Sequence, residues 1–310
     1  MSGDGVDANR VASMHIALIG YGEVGGIFGQ ALAARGVARI AAYDILLSSP
    51  VRSAAMRERA ARDAILLAAS TAEAVGNADL VISAVTASAT RDAAASAAPA
   101  MRRGAFFLDI NSASPKTKAD GGALVAATGG RYVEAAVMTS VPPYGIRVPM
   151  LLGGPDAVAL MPTLVALGFA ATVASEELGV ASAIKMCRSV MIKGLEAIVI
   201  ESYLTARRYG VEKEVLASLG ETFPGLDWEK QGSYFWSRVV QHGKRRAEEM
   251  REAAATVREV GLEPLMASAI ADRQAWVAAL AASGTFANAP TDSDWRDFAD
   301  RIVPDDPEGR

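Results

Sequence analysis

The segment IGYGEVGGIFGQAL, residues 19–32, carries glycines at Gly20, Gly22 and Gly25 in the pattern G-x-G-x-x-G. An apolar run at 16–19 precedes it, and a segment that can form a helix follows it. In such a turn the first glycine permits a tight bend, the second admits a phosphate to the backbone, and the third lets helix and strand pack closely. Free N–H groups at the helix start then attract an anion. The residues expected to contact it are Gly20, Gly22, Glu23, Val24 and Gly25.

An acidic residue, Asp44, lies 19 residues after Gly25, at the end of the second apolar run. This spacing is typical of dinucleotide-binding βαβ units, in which the carboxylate accepts hydrogen bonds from the adenosine ribose. A carboxylate in this position also repels the 2′-phosphate of NADP. Ile45 follows Asp44 where an arginine would favour that phosphate, although Arg52 lies close in sequence. The sequence therefore predicts a site for NAD, with NADP as the weaker alternative.

The first half of the chain alternates short apolar runs with segments of helical character. That alternation is typical of a parallel sheet built from βαβ units. The expected strands are 15–19, 38–43, 64–68, 79–85, 105–110, 131–137, 148–154 and 169–174. The expected helices between them include 24–35, 51–62, 88–101 and 157–167. These elements predict a Rossmann-type α/β domain.

No strand-like run follows about residue 176, and apolar residues beyond it recur with helical spacing. The expected helices are 179–208, 211–219, 227–241, 242–260 and 264–282. The first of these is a long helix that joins the α/β Rossmann-type N-terminal domain to an all-α C-terminal domain. The expected divisions are a flexible tail at 1–13, an NAD-binding domain at 14–175, a helical substrate and dimerisation domain at 176–290, and a C-terminal tail with a short helix at 291–310.

Composition and charge exclude several classes of protein. The formal net charge is −4 with Lys and Arg spread along the chain, so no basic block indicates a nucleic-acid partner. The one cysteine, Cys187, excludes a disulfide framework, and the two histidines, His15 and His242, argue against a metal site. The N-terminal segment lacks the pattern of a signal peptide, and no apolar stretch reaches transmembrane length. We therefore expect a cytoplasmic protein that acts on a small molecule, without a membrane partner.

The order of four motifs resembles the β-hydroxyacid dehydrogenase family, which includes relatives of 3-hydroxyisobutyrate and 6-phosphogluconate dehydrogenases. These motifs are GYGEVG (20–25), DINSASP (109–115), YVEAAVMTSVPPYGIRVPMLLGG (132–154) and GVASAIKMCRS (179–189). The resemblance runs from His15 to about Arg273. Two further segments indicate a less-characterised branch with a divergent helical C-terminal domain: SVMIKGLEA (189–197) and QHGKRRAEEM (241–250).

The resemblance implies roles for residues within these motifs. Lys185 stands where the family carries its catalytic lysine, which relays the proton of the reacting hydroxyl while hydride passes to the nicotinamide. Apolar neighbours on its helix would desolvate the amine and lower its pKa towards a useful value. The alternative is a surface lysine whose stem lies along the helix. Asn111 and Ser112, in the second motif, and Thr86 are expected beside the cofactor, with Ser112 and Thr86 at the ends of strands. Thr139 and Ser140, in the third motif, are expected to orient the substrate.

This chain departs from the family in its substrate-binding motifs. Relatives carry two asparagines three and four residues after the lysine, where this chain has Arg188 and Ser189. Relatives also carry Ser-Gly-Gly where this chain has residues 138–140, Met-Thr-Ser. The usual grip on a substrate carboxylate is therefore altered. Arg188 is a candidate for a bidentate contact with such a carboxylate, and a surface ion pair is the alternative.

Helical spacing groups the polar residues of the C-terminal half into two stripes. The first contains Lys185, Arg188, Ser189, Ile192 and Glu196, and the second contains His242, Arg245, Arg246 and Glu249. The second stripe would bind an anionic substrate or meet the first, and a solvated salt-bridged face is the alternative. We predict that Arg188, Ser189, His242 and Arg246 contribute to substrate binding.

These inferences predict an NAD-dependent oxidoreductase that transfers hydride between the nicotinamide and an alcohol or carbonyl carbon. The substrate would be a hydroxy acid or a larger hydroxylated molecule, with Lys185 as general acid and base. Two alternatives remain open at this stage: an imine reductase, and an NAD-using lyase that cleaves a carbon–carbon bond. The apolar helical half also predicts a homodimer.

Overall fold

The computed structural model describes residues 11–290 and 293–302. Its elements divide into two compact units, 1–186 and 187–310, which we describe separately. The division falls within the long helix, whereas the sequence placed a domain boundary before it, at 175/176. Most of the expected flexible segment 1–13 lies outside the described residues, and Val11 at its end is buried.

The first unit is built on an eight-stranded sheet. Its strands are β1 (His15–Ile19), β2 (Arg39–Tyr43), β3 (Leu66–Leu67), β4 (Leu80–Ser83), β5 (Phe106–Asp109), β6 (Arg131–Val137), β7 (Met150–Gly153) and β8 (Ala171–Ser175). The spatial order is β3-β2-β1-β4-β5-β6-β7-β8. All neighbouring pairs are parallel except β6 and β7, which are antiparallel. The predicted Rossmann-type fold is confirmed, and its strand order reverses between β1 and β4, where such sheets bind ligands.

Helices cover both faces of this sheet, and each face has its own apolar core. The helices are α1 (Glu23–Ala34), α2 (Pro50–Arg62), α3 (Thr71–Val75), α4 (Thr90–Ala97), α5 (Pro115–Ala127) and α6 (Ala157–Ala166). The central strands are mostly apolar because both of their faces are buried, as in β4, where all four residues are buried. The predicted strand at 64–68 is shorter in the structure, because only Leu66 and Leu67 pair with the edge of β2.

The second unit contains helices alone among its described residues. They are the C-terminal part of α7 (Val180–Tyr209), then α8 (Glu212–Thr222), α9 (Trp228–Glu259), α10 (Leu265–Ala282) and α11 (Trp295–Ile302). Their apolar core is centred on large aromatic side chains, including Tyr203, Trp236, Trp295 and Phe298. The predicted all-α character of this part of the chain is confirmed.

One predicted break in this unit is wrong. The sequence predicts separate helices at 227–241 and 242–260, but α9 runs through both without interruption. Gly243, just beyond the predicted break, lies buried inside α9. A side-chain carbon at Gly243 would stand 2.9 Å from the carbonyl oxygen of Gln274 on α10. The glycine therefore serves the close packing of two helices and does not end one.

The end of the chain contributes to this core. Residues 295–302 form the short helix α11 within the segment expected as a tail, and Trp295 and Phe298 are almost fully buried. The Trp295 indole Nε1 donates to Glu229 Oε2 at 3.0 Å, and Arg207 Nε donates to Asp300 Oδ1 at 2.8 Å. Helix α11 is therefore an integral part of the helical unit.

Candidate functional site

The glycine loop joins β1 to α1, and its three glycines occupy different environments. Gly20 has φ +87°, and a Cβ there would lie 2.3 Å from the Ala84 carbonyl oxygen. A Cβ at Gly25 would lie 2.1 Å from the carbonyl oxygen of Gly20. A Cβ at Gly22, by contrast, would meet no described atom within 4 Å. The first and third glycines are required by the packing of the protein itself, and the second leaves space for a ligand.

The start of α1 provides the donors for that ligand. Gly22 is the N-cap residue of α1, and no side chain of the described residues caps this end. Its first N–H groups are therefore available to an anion, whose charge the helix dipole stabilises. Glu23 is exposed at the first position of the helix, and Val24 is half-buried behind it. This arrangement fits the pyrophosphate of a dinucleotide.

The peptide of Tyr21, in the middle of the loop, is held from both sides. Its N–H donates to Asp44 Oδ2 at 2.8 Å, and its carbonyl accepts from Arg59 Nη2. The second oxygen of Asp44 accepts from the Leu46 N–H at 2.9 Å. Asp44 directly follows β2, as the sequence predicts. Its two hydrogen bonds also fix the conformation of the loop. Arg52, the possible ligand of a 2′-phosphate, is exposed.

Arg59 was not identified from the sequence. It lies on α2, and its guanidinium Cζ sits 4.6 Å from the centroid of the Tyr21 ring. A Cβ at Gly26 would lie 2.8 Å from Arg59 Nε, so the arginine packs directly on the start of α1. No local pattern marks this arginine among the several on α2, because the contact depends on how α2 packs on the sheet.

The ends of β4 and β5 are joined through Asn111. Its Oδ1 accepts from the Val85 N–H at 2.7 Å, and its Nδ2 donates to Ser83 Oγ at 2.9 Å. Asn111 is buried and Thr86, beyond β4, is exposed. Of the residues expected beside the cofactor, Asn111 thus holds the ends of β4 and β5 together, and Thr86 is exposed to solvent at the same edge of the sheet.

Asp109, at the end of β5, is the centre of a buried network. Its Oδ1 accepts from Lys118 Nζ at 2.7 Å and from the Asn111 N–H at 2.9 Å. Its Oδ2 accepts from the Tyr132 hydroxyl at 2.6 Å. Burial, and then the negative charge of Asp109, hold the pKa of Tyr132 well above its usual range, so the hydroxyl remains a donor. The network fixes the turn that leads from β5 to Ser112.

Lys185 and Ser112 are brought together by the fold. Lys185 lies on α7, and its Nζ donates to Ser112 Oγ at 2.6 Å. The two residues are 73 positions apart in the sequence and both are half-buried. Ser112 follows β5 at the carboxyl edge of the sheet, the edge at which the glycine loop and Asp44 also lie. The lysine therefore stands at the edge where α/β sheets carry their ligands.

The expected substrate residues of the first unit follow β6. Thr139 is exposed and Ser140 is half-buried. The loop continues through an exposed Pro-Pro-Tyr segment, 142–144, before a short turn of helix at Gly145–Arg147. This loop thus offers polar groups to solvent directly after a central strand.

In the helical unit, buried ion pairs join the two predicted stripes. Arg246 on α9 donates through Nε to Glu196 Oε2 on α7 at 3.0 Å and through Nη2 to Glu196 Oε1. Gln274 Nε2 on α10 adds a third donor to Glu196, at 3.1 Å. Arg246 is therefore engaged within the protein and is only 5% exposed. Of the alternatives for the second stripe, this contact corresponds to the one in which it meets the first.

A second, partly buried ion pair lies beside the first. Lys193 Nζ is 3.0 Å from Glu249 Oε2 and donates to Ser189 Oγ at 3.4 Å. Arg188 is exposed, and His242 is half-buried. Lys193 and Gln274 were not singled out from the sequence. Lys193 could have been found, because it follows Ser189 by one helical turn on the same stripe.

Two further properties concern ligands and membranes. Among residues 11–290 and 293–302, no group of three or more His, Cys, Asp and Glu side chains is arranged to hold a metal ion. Over the same part of the chain, no helix has both the length and the apolar character needed to cross a membrane.

Two family models match the chain. The NAD binding domain of 6-phosphogluconate dehydrogenase matches residues 15–155, and a domain of unknown function (DUF1932) matches residues 206–277. The first match covers the glycine loop and the strand ends described above, and the second covers most of the helical unit.

Similar solved structures extend over nearly the whole chain. A conserved hypothetical protein from Sinorhizobium meliloti 1021 is 41% identical, with 94% of this chain and 96% of that chain covered and a TM-score of 0.74. The conserved protein MTH1747, of unknown function and with structural similarity to 3-hydroxyacid dehydrogenases, is 30% identical, with 86% and 99% covered and a TM-score of 0.65. A 3-hydroxyisobutyrate dehydrogenase from Mycobacterium tuberculosis, at 17% identity, 94% and 99% coverage and a TM-score of 0.68, shares the fold.

The chain therefore belongs to a β-hydroxyacid dehydrogenase-like family in which an NAD(P)-binding domain is followed by a C-terminal helical domain. Its class is that of a nicotinamide-dependent dehydrogenase or reductase. Both the family and the class predicted from the sequence are confirmed.

The glycine loop yields a contrast between two substitutions. We expect Gly22→Ala to leave the unfolding free energy nearly unchanged, because its new methyl group meets no described atom within 4 Å. The methyl group should weaken NADH and NADPH binding by about tenfold or more, roughly 1.4 kcal/mol, because it occupies the path of the pyrophosphate. Gly25→Ala should instead destabilise the fold by about 1–3 kcal/mol through its clash with the Gly20 carbonyl.

Urea unfolding and fluorescence titration with both reduced cofactors measure the two effects separately. Gly220→Ala is the control for cofactor binding, because Gly220 has open space around its Cα and an ordinary φ. Gly36→Ala would be strained, because Gly36 has a positive φ. Normal cofactor binding by Gly22→Ala would show that the pyrophosphate does not lie over this loop.

Proposed function

We propose that the protein catalyses reversible hydride transfer between NAD and a carbon that carries a hydroxyl or carbonyl group, with Lys185 as general acid and base. The observation that carries the proposal is the 2.6 Å hydrogen bond from Lys185 Nζ to Ser112 Oγ. It places an amine at the carboxyl edge of a Rossmann-type sheet, close to a polar group that can share a substrate proton.

The chemistry assigned to the chain is proton transfer and orientation. Bound NAD supplies the acceptor for the two electrons and the hydrogen that leave the substrate carbon as hydride. In oxidation, the neutral amine of Lys185 accepts the hydroxyl proton of the substrate. In reduction, its ammonium form returns a proton to the oxygen as negative charge develops there. Ser112 Oγ fixes the direction of the amine, and the Asp109 network fixes Ser112.

We propose that the substrate is a hydroxy acid or a larger hydroxylated molecule. Thr139 and Ser140 are assigned to its orientation, since they follow β6 and replace the Gly-Gly part of the family's motif. Arg188 and Ser189 remain proposed contacts because they follow Lys185 by about one turn on α7. Arg246 is reassigned from substrate binding to support of the helical unit, because Glu196 occupies its guanidinium. His242 remains the competing candidate for proton transfer.

The choice of cofactor is tested by binding. We expect NADH to bind more tightly than NADPH by about tenfold to a hundredfold, because a 2′-phosphate would approach the carboxylate of Asp44. Asp44→Asn should narrow this difference, since it removes the charge and keeps one oxygen for the loop N–H groups. Fluorescence titration of both cofactors measures the ratio.

Arg52→Ala serves as the companion variant. A native preference for NADPH that disappears in Arg52→Ala would refute the role of Asp44 and assign a 2′-phosphate contact to Arg52. A native preference for NADPH that persists in both variants would refute it as well.

The role of Lys185 is tested by turnover. We expect Lys185→Met to retain the fold and NADH binding and to lose about 10²- to 10⁴-fold in kcat, the usual contribution of general acid–base catalysis. Methionine keeps the length of the apolar stem, so packing changes little. A panel of hydroxylated acids with NAD, followed by absorbance of NADH, supplies the assay.

His242→Ala is the comparison, because histidine is the side chain whose ordinary pKa lies near neutrality. Full activity in Lys185→Met together with its loss in His242→Ala would transfer the proton relay to the helical unit. Reduction of cyclic imines by NADPH would favour an imine reductase. Loss of a one-carbon fragment without net NADH would favour a lyase.

We also propose that the protein is a homodimer in which α7 contributes to the interface. Met191, Leu195 and Ile198 are exposed on α7 with helical spacing, and their fractional exposures are 66%, 38% and 54%. Beside them a groove of about 840 Å³ is lined by residues that include Tyr209, Met266 and Trp276. A stripe of this kind suits contact with its own copy around a two-fold axis, because both partners then present the same apolar surface.

Light scattering on the purified protein at micromolar concentration measures the mass. We expect a dimer, and we expect Ile198→Glu to shift it towards monomer because the new charge would be buried in the interface. Glu58→Gln on α2, at an exposed position of the first unit, is the control. A wild-type monomer would contradict the proposal.

A further inference from the structure

Glu134 on β6 is fully buried, and its carboxylate lies at the first turn of α7. Its Oε1 accepts from the Gly179 N–H at 2.8 Å and from the Ala181 N–H at 3.1 Å. Its Oε2 has no hydrogen-bond partner among the described residues. Burial of a carboxylate in such surroundings is costly unless charge and hydrogen bonds compensate for it. Here the compensation comes from the start of a 30-residue helix, whose dipole favours a negative charge at that end.

The backbone around the carboxylate is fitted to this contact. A Cβ at Gly153, the register partner of Glu134 on β7, would stand 2.4 Å from Glu134 Oε1. Gly179 has φ +100°, a conformation that disfavours every residue with a side chain. Two glycines therefore make room for one buried carboxylate and allow the chain to enter α7 beside it. The contact between β6 and α7 therefore requires glycine at both Gly153 and Gly179.

A second buried carboxylate lies directly beside the first. Asp109 on β5 is the register partner of Glu134 on β6, so two acids face each other across neighbouring parallel strands. Like charges so placed are unfavourable unless each is compensated. Asp109 is compensated by Lys118 Nζ at 2.7 Å, and Glu134 by the start of α7. The two acids anchor different segments: Asp109 the turn that carries Ser112, and Glu134 the helix that carries Lys185.

We propose that Glu134 is a positioning residue for the reaction. Its carboxylate fixes the first turn of α7 to β6 and thereby sets the position of Lys185 against Ser112. Lys185 lies about 8 Å along the helix axis from Val180, by the rise of an α-helix, so a shift of the first turn moves the amine almost rigidly. The proposal rests on the proposed function, in which Lys185 carries the proton.

The first measurement uses the wild-type protein. N–H groups in the first turn of a helix ordinarily exchange with solvent quickly, because they have no partner within the helix. We expect the amides of Gly179 and Ala181 to exchange about tenfold or more slowly than those of Glu23 and Val24, where no side chain of the described residues caps α1. Equal exchange at both helix starts would overturn the proposal whether or not any variant folds.

The second measurement reports on Lys185 directly. Glu134→Gln removes the charge and keeps an acceptor, and Glu177→Gln removes an exposed charge just before α7 as the matched control. We expect Glu134→Gln to accelerate exchange over 179–186 about tenfold and to change the rate of Lys185 acetylation by acetic anhydride about threefold or more, with a shifted pH profile. The control should change neither, and binding of NADH should persist in both variants.

Acetylation of Lys185 that is unchanged in Glu134→Gln would overturn the proposal even if exchange accelerates, because the carboxylate would then be a cap without effect on the lysine. Since labelling requires no turnover, the two hypotheses fail separately. If the acetylation rate of Lys185 changes in Glu134→Gln but Lys185→Met keeps its activity, the proposed function alone is refuted. If the acetylation rate of Lys185 is the same in Glu134→Gln as in the wild type but Lys185→Met loses most of its activity, the role of Glu134 alone is refuted.

Discussion

The contact between Gly25 and the carbonyl of Gly20 fixes the geometry on which the first unit depends. A single added methyl group at Gly25 would lie 2.1 Å from that oxygen, so α1 can cross β1 this closely only with glycine. The crossing sets where the helix start points, and the Asp44 and Arg59 contacts hold the intervening Tyr21 peptide in that position. The direction of the anion-binding N–H groups thus follows from backbone packing, with side chains from β2 and α2 as supports.

The helical unit is organised by a different interaction. Glu196 and Arg246 form a buried, two-point ion pair, and Gln274 adds a donor from a third helix. Such a pair contributes little net stability, because desolvation opposes the attraction, but an unpaired member would be strongly unfavourable. A slip of α7 or α9 by a turn would leave a charge buried alone, and a slip of α10 would remove the Gln274 donor from Glu196. The pair therefore selects one register for α7, α9 and α10, and the apolar core supplies the stability.

The sequence predicts those structural features that depend only on residues close together in the chain. The strand, turn and helix around Gly20, Gly22 and Gly25 follow from residue type and spacing, and the apolar runs predict the strands closely. Lys185 was found through resemblance, and its meeting with Ser112 could not be derived from spacing because 73 residues separate them. Arg59, Lys118 and Glu134 were missed for the same reason: each acts through a contact that only the packed sheet creates. The break predicted between 241 and 242 was wrong because helical spacing alone does not show whether two adjoining helical segments form one continuous helix.

The contacts of the glycine loop also bear on the order in which the molecule assembles during synthesis. The turn, Asp44 and Arg59 all lie within the first 59 residues, although the sheet neighbour β4 is needed to seat Gly20 against Ala84. Lys185 and its helix are synthesised about a hundred residues after β4, when β5 to β8 have already been made. The nucleotide-binding half of the sheet is thus complete in the growing chain before the lysine exists. Because cofactor that binds only the folded form stabilises it by mass action, the cell's pool of dinucleotide can act on this protein before α7 has been made.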